Sequence, residues 1–497
     1  MAKKIISIDQ GTTSSRAVLF DDSGELLDFR QKEFKQNFPK DGWVEHDPEE
    51  IWSSVVEVTE ELIKGHRLSA KEIAGIGITN QRETTLLWEK ETGKAVYPAI
   101  VWQDRRTSSF CNSLKKDQSI YEEIQKKTGL LIDPYFSATK LSWILNNVEG
   151  ARRKAENGEL AFGTVDSFLV WRLTGGKNHR TDATNASRTM LFNIELNQWD
   201  KNLLSLFQIP DQVLPEVCDS SYDFGSTSIF GGGDIKIAGI AGDQQSALIG
   251  QCCFEEGETK STYGTGCFLL VNTGNKRISS SNKLLSTIAY RIRGKVTYGV
   301  EGSIFVAGSA VQWLRDKLKF FNIARDSEQI INSRNDKSEL LVVPAFTGLG
   351  APHWDPEARG SIFGITRDTG ISDITAATIE SVAFQTRDLI ECMKQDGVNF
   401  SELRVDGGMV SNNWFSQQLS NTLNLPVLKP KIIETTALGA AYLAGLEAGL
   451  FSDLNSLKSN WVCERTFRPE IDNFEELDRK YKRWLIAVEK TKSFSRS

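Results

Sequence analysis

Two acids stand at the ends of apolar runs, and both are followed at once by tight, polar turns. "ISIDQGTTSSRAVLF" (Ile6–Phe20) carries Asp9 into a Gly-Thr-Thr-Ser tip, and "IKIAGIAGDQQSALIGQ" (Ile235–Gln251) carries Asp243 into a Gly-Asp-Gln turn. A tip lined by backbone N–H groups and hydroxyls is a concave donor surface, which suits phosphate oxygens. Gly11 lets the backbone approach, and Arg16 adds a neutralising charge. "TYGTGCF" offers a second tip, Gly264-Thr265-Gly266. Two such tips can hold a polyphosphate from both sides. Asp9 beside phosphates makes sense with a cation between them, and Mg²⁺ takes one or two carboxylates plus phosphate oxygens and water. The plainer alternative is a pair of ordinary hairpin turns.

Transfer of a phosphoryl group to an alcohol needs an acceptor for the hydroxyl proton, and a positioned carboxylate such as Asp243 can serve. Asp at a strand-to-helix turn can equally be a helix N-cap. Arg82 and Glu83 are adjacent just past an apolar strand, "IAGIGIT" (Ile73–Thr79). There a donor and an acceptor can both turn toward the hydroxyls of a polyol, with Trp102 and Phe268 covering its carbon edge. "RVDGGMVSNN" (Arg404–Asn413) supplies a close backbone approach at Gly407 and Gly408 and a helix start at Ser411-Asn412, which suits a nucleotide.

The elements that must position these groups alternate between strand and helix. A hairpin is expected over 5–20, a helix from Pro48 to about Lys64, strands at 73–79, 84–88 and 99–102, and long helices to about residue 210. Strand, turn and helix follow over 235–251, then a second hairpin over 259–274. The helix over 435–449 is rich in small residues, which points to tight packing. From Phe474 a charged amphipathic helix is expected on the surface. The pattern predicts an α/β fold with mostly parallel sheets, whose ligands sit beyond the carboxyl ends of the strands. The repeated hairpin predicts a duplicated architecture, with domains at 1–252 and 253–497.

The 497 residues are 40% hydrophobic and 25% charged, with a net charge of −6. That composition fits a soluble globular chain and disfavours nucleic acid or an anionic membrane as partner. No apolar run reaches the ~18 residues of a membrane span, and a cytoplasmic location is expected. Seven cysteines without a C-x-x-C predict reduced thiols. The four histidines form no zinc motif, and surface or loop positions are expected for them.

"DQGTTSSRA", "GWVEHDPEEIW", "GITNQRETT", "WQDRRT", "IDPYFSATK", "TDATNASRTMLFN", "GIAGDQQSALIGQ", "TYGTGCF", "VPAFTGLGAPHWDPEARG" and "RVDGGMVSNN" together resemble the glycerol kinases of the FGGY carbohydrate kinase family. The resemblance runs from Ile5 to about Pro469. It implies two actin-like, ribonuclease-H-like domains with an active-site cleft between them, and ATP-dependent phosphorylation of glycerol to sn-glycerol 3-phosphate with Mg²⁺. It implies phosphate contacts at Thr12, Thr13, Ser14 and Arg16, and further nucleotide contacts at Thr265, Gly308, Gln312, Gly408 and Asn412. It implies a glycerol pocket of Arg82, Glu83, Trp102, Tyr135, Asp243, Gln244 and Phe268, with Asp243 as base and Asp9 on the metal side. A homodimer or homotetramer is expected with it. The loop before the Asp243 strand, "IFGGGDIKIAG", lacks the arginine and histidine that some members use for control by fructose 1,6-bisphosphate or phosphohistidine. A pentulose or hexulose kinase, and an actin-like ATPase acting as scaffold, are the competing expectations. The first needs a larger pocket, and the second needs turnover that ignores glycerol.

Overall fold

The computed structural model describes residues 3–333, 338–470 and 474–494. Strand β1 (Lys4–Gln10), β2 (Ser14–Asp21) and β3 (Leu26–Glu33) form an antiparallel meander. Strand β4 (Ile73–Asn80) runs parallel to β1, β5 (Ser221–Thr227) forms the far edge, and β6 (Ile235–Gly242) lies between them, parallel to β4. The six are ordered β5-β6-β4-β1-β2-β3. The inner parallel strands are apolar almost throughout, as strands covered on both faces are.

The second sheet holds β7 (Thr259–Tyr263), β8 (Cys267–Gly274), β9 (Leu285–Ile292), β10 (Lys295–Ile304), β11 (Leu403–Asp406), β12 (Val427–Pro430) and β13 (Cys463–Phe467), ordered β9-β10-β8-β7-β11-β12-β13. The run β10-β8-β7-β11-β12 repeats β3-β2-β1-β4-β6 in order and in strand direction. The duplicated α/β architecture of two actin-like halves is therefore present, and the repeat differs in one respect. An extra hairpin strand, β9, precedes the third strand of the second meander.

Helix α1 (Pro48–Gly65) begins where Pro48 fits the first turn and Asp47 accepts from the amide of Glu49. It buries Ile51, Val55, Val58 and Leu62 against the first sheet. Helix α2 (Asp243–Gly250) continues directly from β6. Three helices of the second half follow: α3 (Gly308–Asp316), α4 (Ile371–Gln395) and α5 (Asn413–Leu423). Helix α6 (Thr435–Glu447) is the small-residue segment. A Cβ on its Gly439 would stand 1.8 Å from the carbonyl of Ser246 in α2. Side chains there would force α2 and α6 apart, so the small residues serve close packing, as expected. The same helix presses Ala440 onto Gly77 of β4, so this late segment covers the first sheet.

Two expectations need correction. Between residues 108 and 207 the helices are short, four to eleven residues, and strands such as Leu160–Gly163 interrupt them. The interruption buries Leu160 and Phe162 in a second core around Phe136 and Leu141. The final helix, α7 (Phe474–Phe494), is more than a surface element. Its Trp484 is fully buried, in a cluster with Val343 and Phe384. Among the described residues no helix is long and apolar enough to cross a membrane.

Candidate active site

Three parallel strands finish level with one another. Asp9 pairs with Thr79 and Gln10 with Asn80, while Gly242 of β6 also faces Asn80. The carboxyl ends of β1, β4 and β6 therefore share one edge. That register carries Asp9, Arg82, Glu83 and Asp243 to the same place.

Asp243 opens α2, yet it is not the cap. The N-cap position is Gly242, and the Asp243 carboxylate reaches only the amide of its neighbour Gln244, at 2.7 Å. Its Oδ1 instead takes the Nε of Arg82 at 3.0 Å, and the side chain keeps 32% of its surface exposed. The capping alternative is thereby set aside. Beneath it, the Thr184 hydroxyl accepts from the amide of Gly242 and donates to Asp182, fixing the end of β6.

Glu83 has φ +59°, a backbone state that costs an ordinary residue strain and tends to occur at working sites. It breaks the alternation of the strand, so Arg82 and Glu83 end up side by side, with Arg82 Nε 3.9 Å from Glu83 Oε1. Both are buried. Their partners include residues that the sequence left unmarked. Arg82 donates through Nη1 and Nη2 to both oxygens of Glu301, at 2.5 and 3.1 Å. Arg188 donates to Glu83 at 2.6 Å and to Glu301 at 2.9 Å. Burial pushes the Glu83 carboxyl upward against the pull of Arg188 and Arg82. Burial also opposes ionisation of Glu301, but Arg188 and Arg82 together outweigh it and hold the group at about 2.

The ring of Trp102 lies 5.6 Å from that of Tyr135 and 6.4 Å from that of Phe268, both edge-on, and the Arg82 guanidinium stands 5.8 Å from the Phe268 ring. Phe268 belongs to β8, so the second half of the chain supplies one wall. Gln244 accepts from the buried Nζ of Lys260 at 2.5 Å. Burial lowers the Lys260 ammonium, against the fields of Asp406, Asp243 and Glu301. Contacts thus connect the seven expected residues: Arg82 meets Glu83, Asp243 and Phe268, Trp102 meets Tyr135 and Phe268, and the amide of Gln244 donates to Asp243.

The first tip is fastened from behind. Gln36 donates to the carbonyl of Thr12 at 2.9 Å, and Gln81 to that of Gly11 at 3.1 Å. His46 lies between the two amides, 2.6 Å from Gln36 Oε1 and 3.4 Å from Gln81 Nε2. It is fully buried, which corrects the expected surface or loop position. Because Gln36 offers an oxygen and Gln81 an N–H, the pair demands a neutral ring protonated on Nε2. Burial lowers His46 to about 4. Trp102 Nε1 donates to Thr12 Oγ1 at 2.9 Å, joining the aromatic wall to the tip. Thr13 is exposed. Ser14 is buried, and its hydroxyl accepts from Gln31. Arg16, paired with Asp9 across the hairpin, donates to Glu434 at 2.5 Å.

The second tip leans on helix α3. The carbonyl of Thr265 accepts from the amides of Ala307 and Ser309, and that of Gly264 from Gly308. Gly407 has φ +90°, and a Cβ there would lie 2.5 Å from the carbonyl of Tyr263, so only glycine brings the two strand ends this close. A Cβ on Gly308 would meet the carbonyl of Gly264 at 2.5 Å and Met409 at 3.6 Å. Thr265, Gln312 and Gly408 are exposed beside them. Asn412 stands apart in kind. It caps α5 through Phe415 and donates to Ser327, so its amide already serves the fold.

Asp9 is half-buried, and burial raises it to about 6. Arg16 opposes that rise, while Glu434 and Asp243 add to it. Arg16 pairs with Glu434 and Arg82 with Asp243, so one negative charge of the three carboxylates is left over, which a divalent cation would relieve. Among the described residues no group of three or more His, Cys, Asp or Glu could hold an ion unaided, so phosphate oxygens would have to complete the shell.

The sequence missed Glu301, Arg188, Lys260 and Glu434. One signal was available for Glu301, a lone acid inside an apolar strand, the same signal that marked Asp9.

The chain matches known proteins over nearly its whole length. The model of the FGGY family of carbohydrate kinases, N-terminal domain, matches residues 4–250, and the C-terminal domain model matches residues 259–448. A glycerol kinase of Ectopseudomonas mendocina is 57% identical, with 99% of this chain and 100% of that one covered. Glycerol kinase 1 of Pseudomonas aeruginosa is 56% identical over the same shares. The crystal structure of Plasmodium falciparum glycerol kinase with ADP superposes with a TM-score of 0.90 at 38% identity, covering 99% of this chain and 98% of that one. The xylulose kinase of Lactobacillus acidophilus shares the fold at a TM-score of 0.88 and 22% identity, with 98% of each chain covered. The chain belongs to the FGGY family of carbohydrate kinases, in its glycerol kinase group.

Proposed function

We propose that this enzyme transfers the terminal phosphoryl group of ATP to a primary hydroxyl of glycerol, giving sn-glycerol 3-phosphate, the first step of glycerol catabolism. The observation that carries the proposal is the Asp243 carboxylate. It is partly open, anchored by Arg82 at 3.0 Å, and shares a sheet edge with Asp9 and the first tip.

Arg82 and Glu83 orient the hydroxyls of the triol, with Gln244, and the rings of Trp102, Tyr135 and Phe268 cover its carbons. Asp243 takes the proton of the attacking hydroxyl as the new P–O bond forms and ADP departs. Thr12, Thr13 and Ser14 present the first tip to the phosphates. Arg16 leaves Glu434 to neutralise them. Thr265, Gly308, Gln312, Gly408 and Asn412 hold the rest of the nucleotide. Asp9 would hold Mg²⁺, which would supply positive charge to the triphosphate oxygens. The reading extends to a cytoplasmic enzyme, where the free thiols stay reduced, and to a homodimer or homotetramer. A division of the chain at residues 252/253 goes with it.

Enclosure by three rings favours a three-carbon substrate over a pentulose. A coupled ADP-release assay with glycerol, xylulose and no acceptor tests this. Release that depends on glycerol supports the proposal. Release that prefers xylulose, or that ignores every acceptor, overturns it.

A further inference from the structure

One carboxylate from the second half of the chain sits at the centre of the buried charge cluster that includes Arg82 and Arg188. Glu301 lies within β10, paired with Leu270 and Leu285 in the ladder, and has no exposed surface. It accepts three charged N–H bonds, two from Arg82 and one from Arg188. Both arginines belong to the first half. Their other anions, Asp243 and Glu83, belong there too.

The five groups form an alternating chain: Asp243, Arg82, Glu301, Arg188, Glu83. Arg188 is fully buried, and its Nη1 has no hydrogen-bond partner among the described atoms; its ion pairs are with Glu83 and Glu301, and the rings of Tyr135 and Phe136 lie 5.6 and 5.4 Å from its guanidinium. Without the central carboxylate the two buried guanidiniums would share Glu83, which lies 3.9 Å from Arg82 Nε and 2.6 Å from Arg188 Nε. Arg82 would then turn onto Asp243 and Glu83, and Arg188 more fully onto Glu83. Bidentate guanidinium–carboxylate bonds are directional, so Glu301 fixes where the arginines point as well as their charge.

We propose that Glu301 is a positioning residue of the substrate pocket. It holds Arg82 and Arg188 from the opposite lobe, so that Arg82 meets Asp243 and Arg188 meets Glu83 in register only while the two lobes are apposed. This rests on the roles given above to Asp243 and Glu83. The pocket becomes a property of both halves of the chain, and affinity for the acceptor is tied to apposition of the lobes. The nucleotide contacts at the two tips do not run through this chain of charges.

The test uses the full chain with Glu301→Gln and Glu301→Asp, comparing melting temperature, KM for glycerol and for ATP, and calorimetric glycerol affinity. A folded Glu301→Gln should raise both KM and Kd for glycerol at least ~10-fold while KM for ATP moves less than ~2-fold, since disrupting a buried charge pair is costly at the groups it held. Equal changes for both substrates, or none, in a folded variant overturn the proposal. If Glu301→Gln does not fold, Glu301→Asp decides. It keeps the charge but withdraws the carboxylate by one methylene, and it must reproduce the glycerol-selective loss. Wild-type glycerol affinity in Glu301→Asp overturns the proposal. So does failure of both variants to fold, because the cluster would then serve the fold and not the pocket. A wild-type chain that releases no ADP with glycerol gives a different result, the failure of the functional reading itself.

Discussion

The indole N–H of Trp102 donates to the hydroxyl of Thr12 across 2.9 Å, so the aromatic wall and the first tip are one unit. Trp102→Phe keeps an aromatic ring beside Tyr135 and Phe268, with less of its surface, and deletes this bond. A net hydrogen bond contributes about 0.5–1.5 kcal/mol. The variant should lose ~2–10-fold in kcat/KM for both glycerol and ATP. A loss confined to glycerol would show that the link to Thr12 carries nothing.

Asp243→Asn is nearly isosteric and keeps an oxygen for the Arg82 Nε. It should fold normally and lower kcat by roughly 10²–10⁴-fold, the range for a general base. Steady-state kinetics at saturating glycerol and ATP checks this. Turnover near the wild-type rate would remove Asp243 from the proton transfer.

Acid should loosen the protein through its buried imidazoles. Burial lowers His46 to about 4, and it lowers His179 to about 4 as well, with the Phe162 carbonyl opposing. Between pH 6.5 and pH 4 the unfolded chain binds these protons and the folded chain does not. Stability is therefore complete above pH 6.5 and drains as pH falls through that window, by on the order of 3 kcal/mol for fully buried His46. Urea midpoints from pH 7 to pH 4.5 should fall accordingly. His46→Asn should be less stable at pH 7 but show a shallower decline, and an unchanged slope would exclude His46 as a source.

Two glycines separate packing from binding. Gly439→Ala places a methyl group into the backbone of α2, which cannot step aside as a side chain can. Its cost should reach or exceed the ~3 kcal/mol upper end of ordinary overpacking. Gly408→Ala meets nothing within 4 Å, so stability should change by less than ~0.5 kcal/mol. If the nucleotide lies against Gly408, the same variant should raise KM for ATP and leave KM for glycerol unchanged. Thermal melts and substrate titrations of the two variants decide both points.

What the sequence determined by itself was local: apolar runs, turn chemistry, the acids at strand ends, and hence the doubled α/β plan. Asp9 was legible because a Gly-Thr-Thr tip follows it within two residues. Glu301 is the same kind of acid in the same kind of strand, but its strand runs on to Ile304 and nothing beside it says what it meets. Its partners lie 219 and 113 residues away, and they exist only because the two sheets are apposed. His46 is similar, since its burial follows from two glutamines 10 and 35 positions distant closing over it. The short helices before residue 210 were set by which faces found a core, which local periodicity does not encode. Tertiary structure alone decided how charge is paired, because a buried ion is stable only beside a partner, and the partner is chosen by packing.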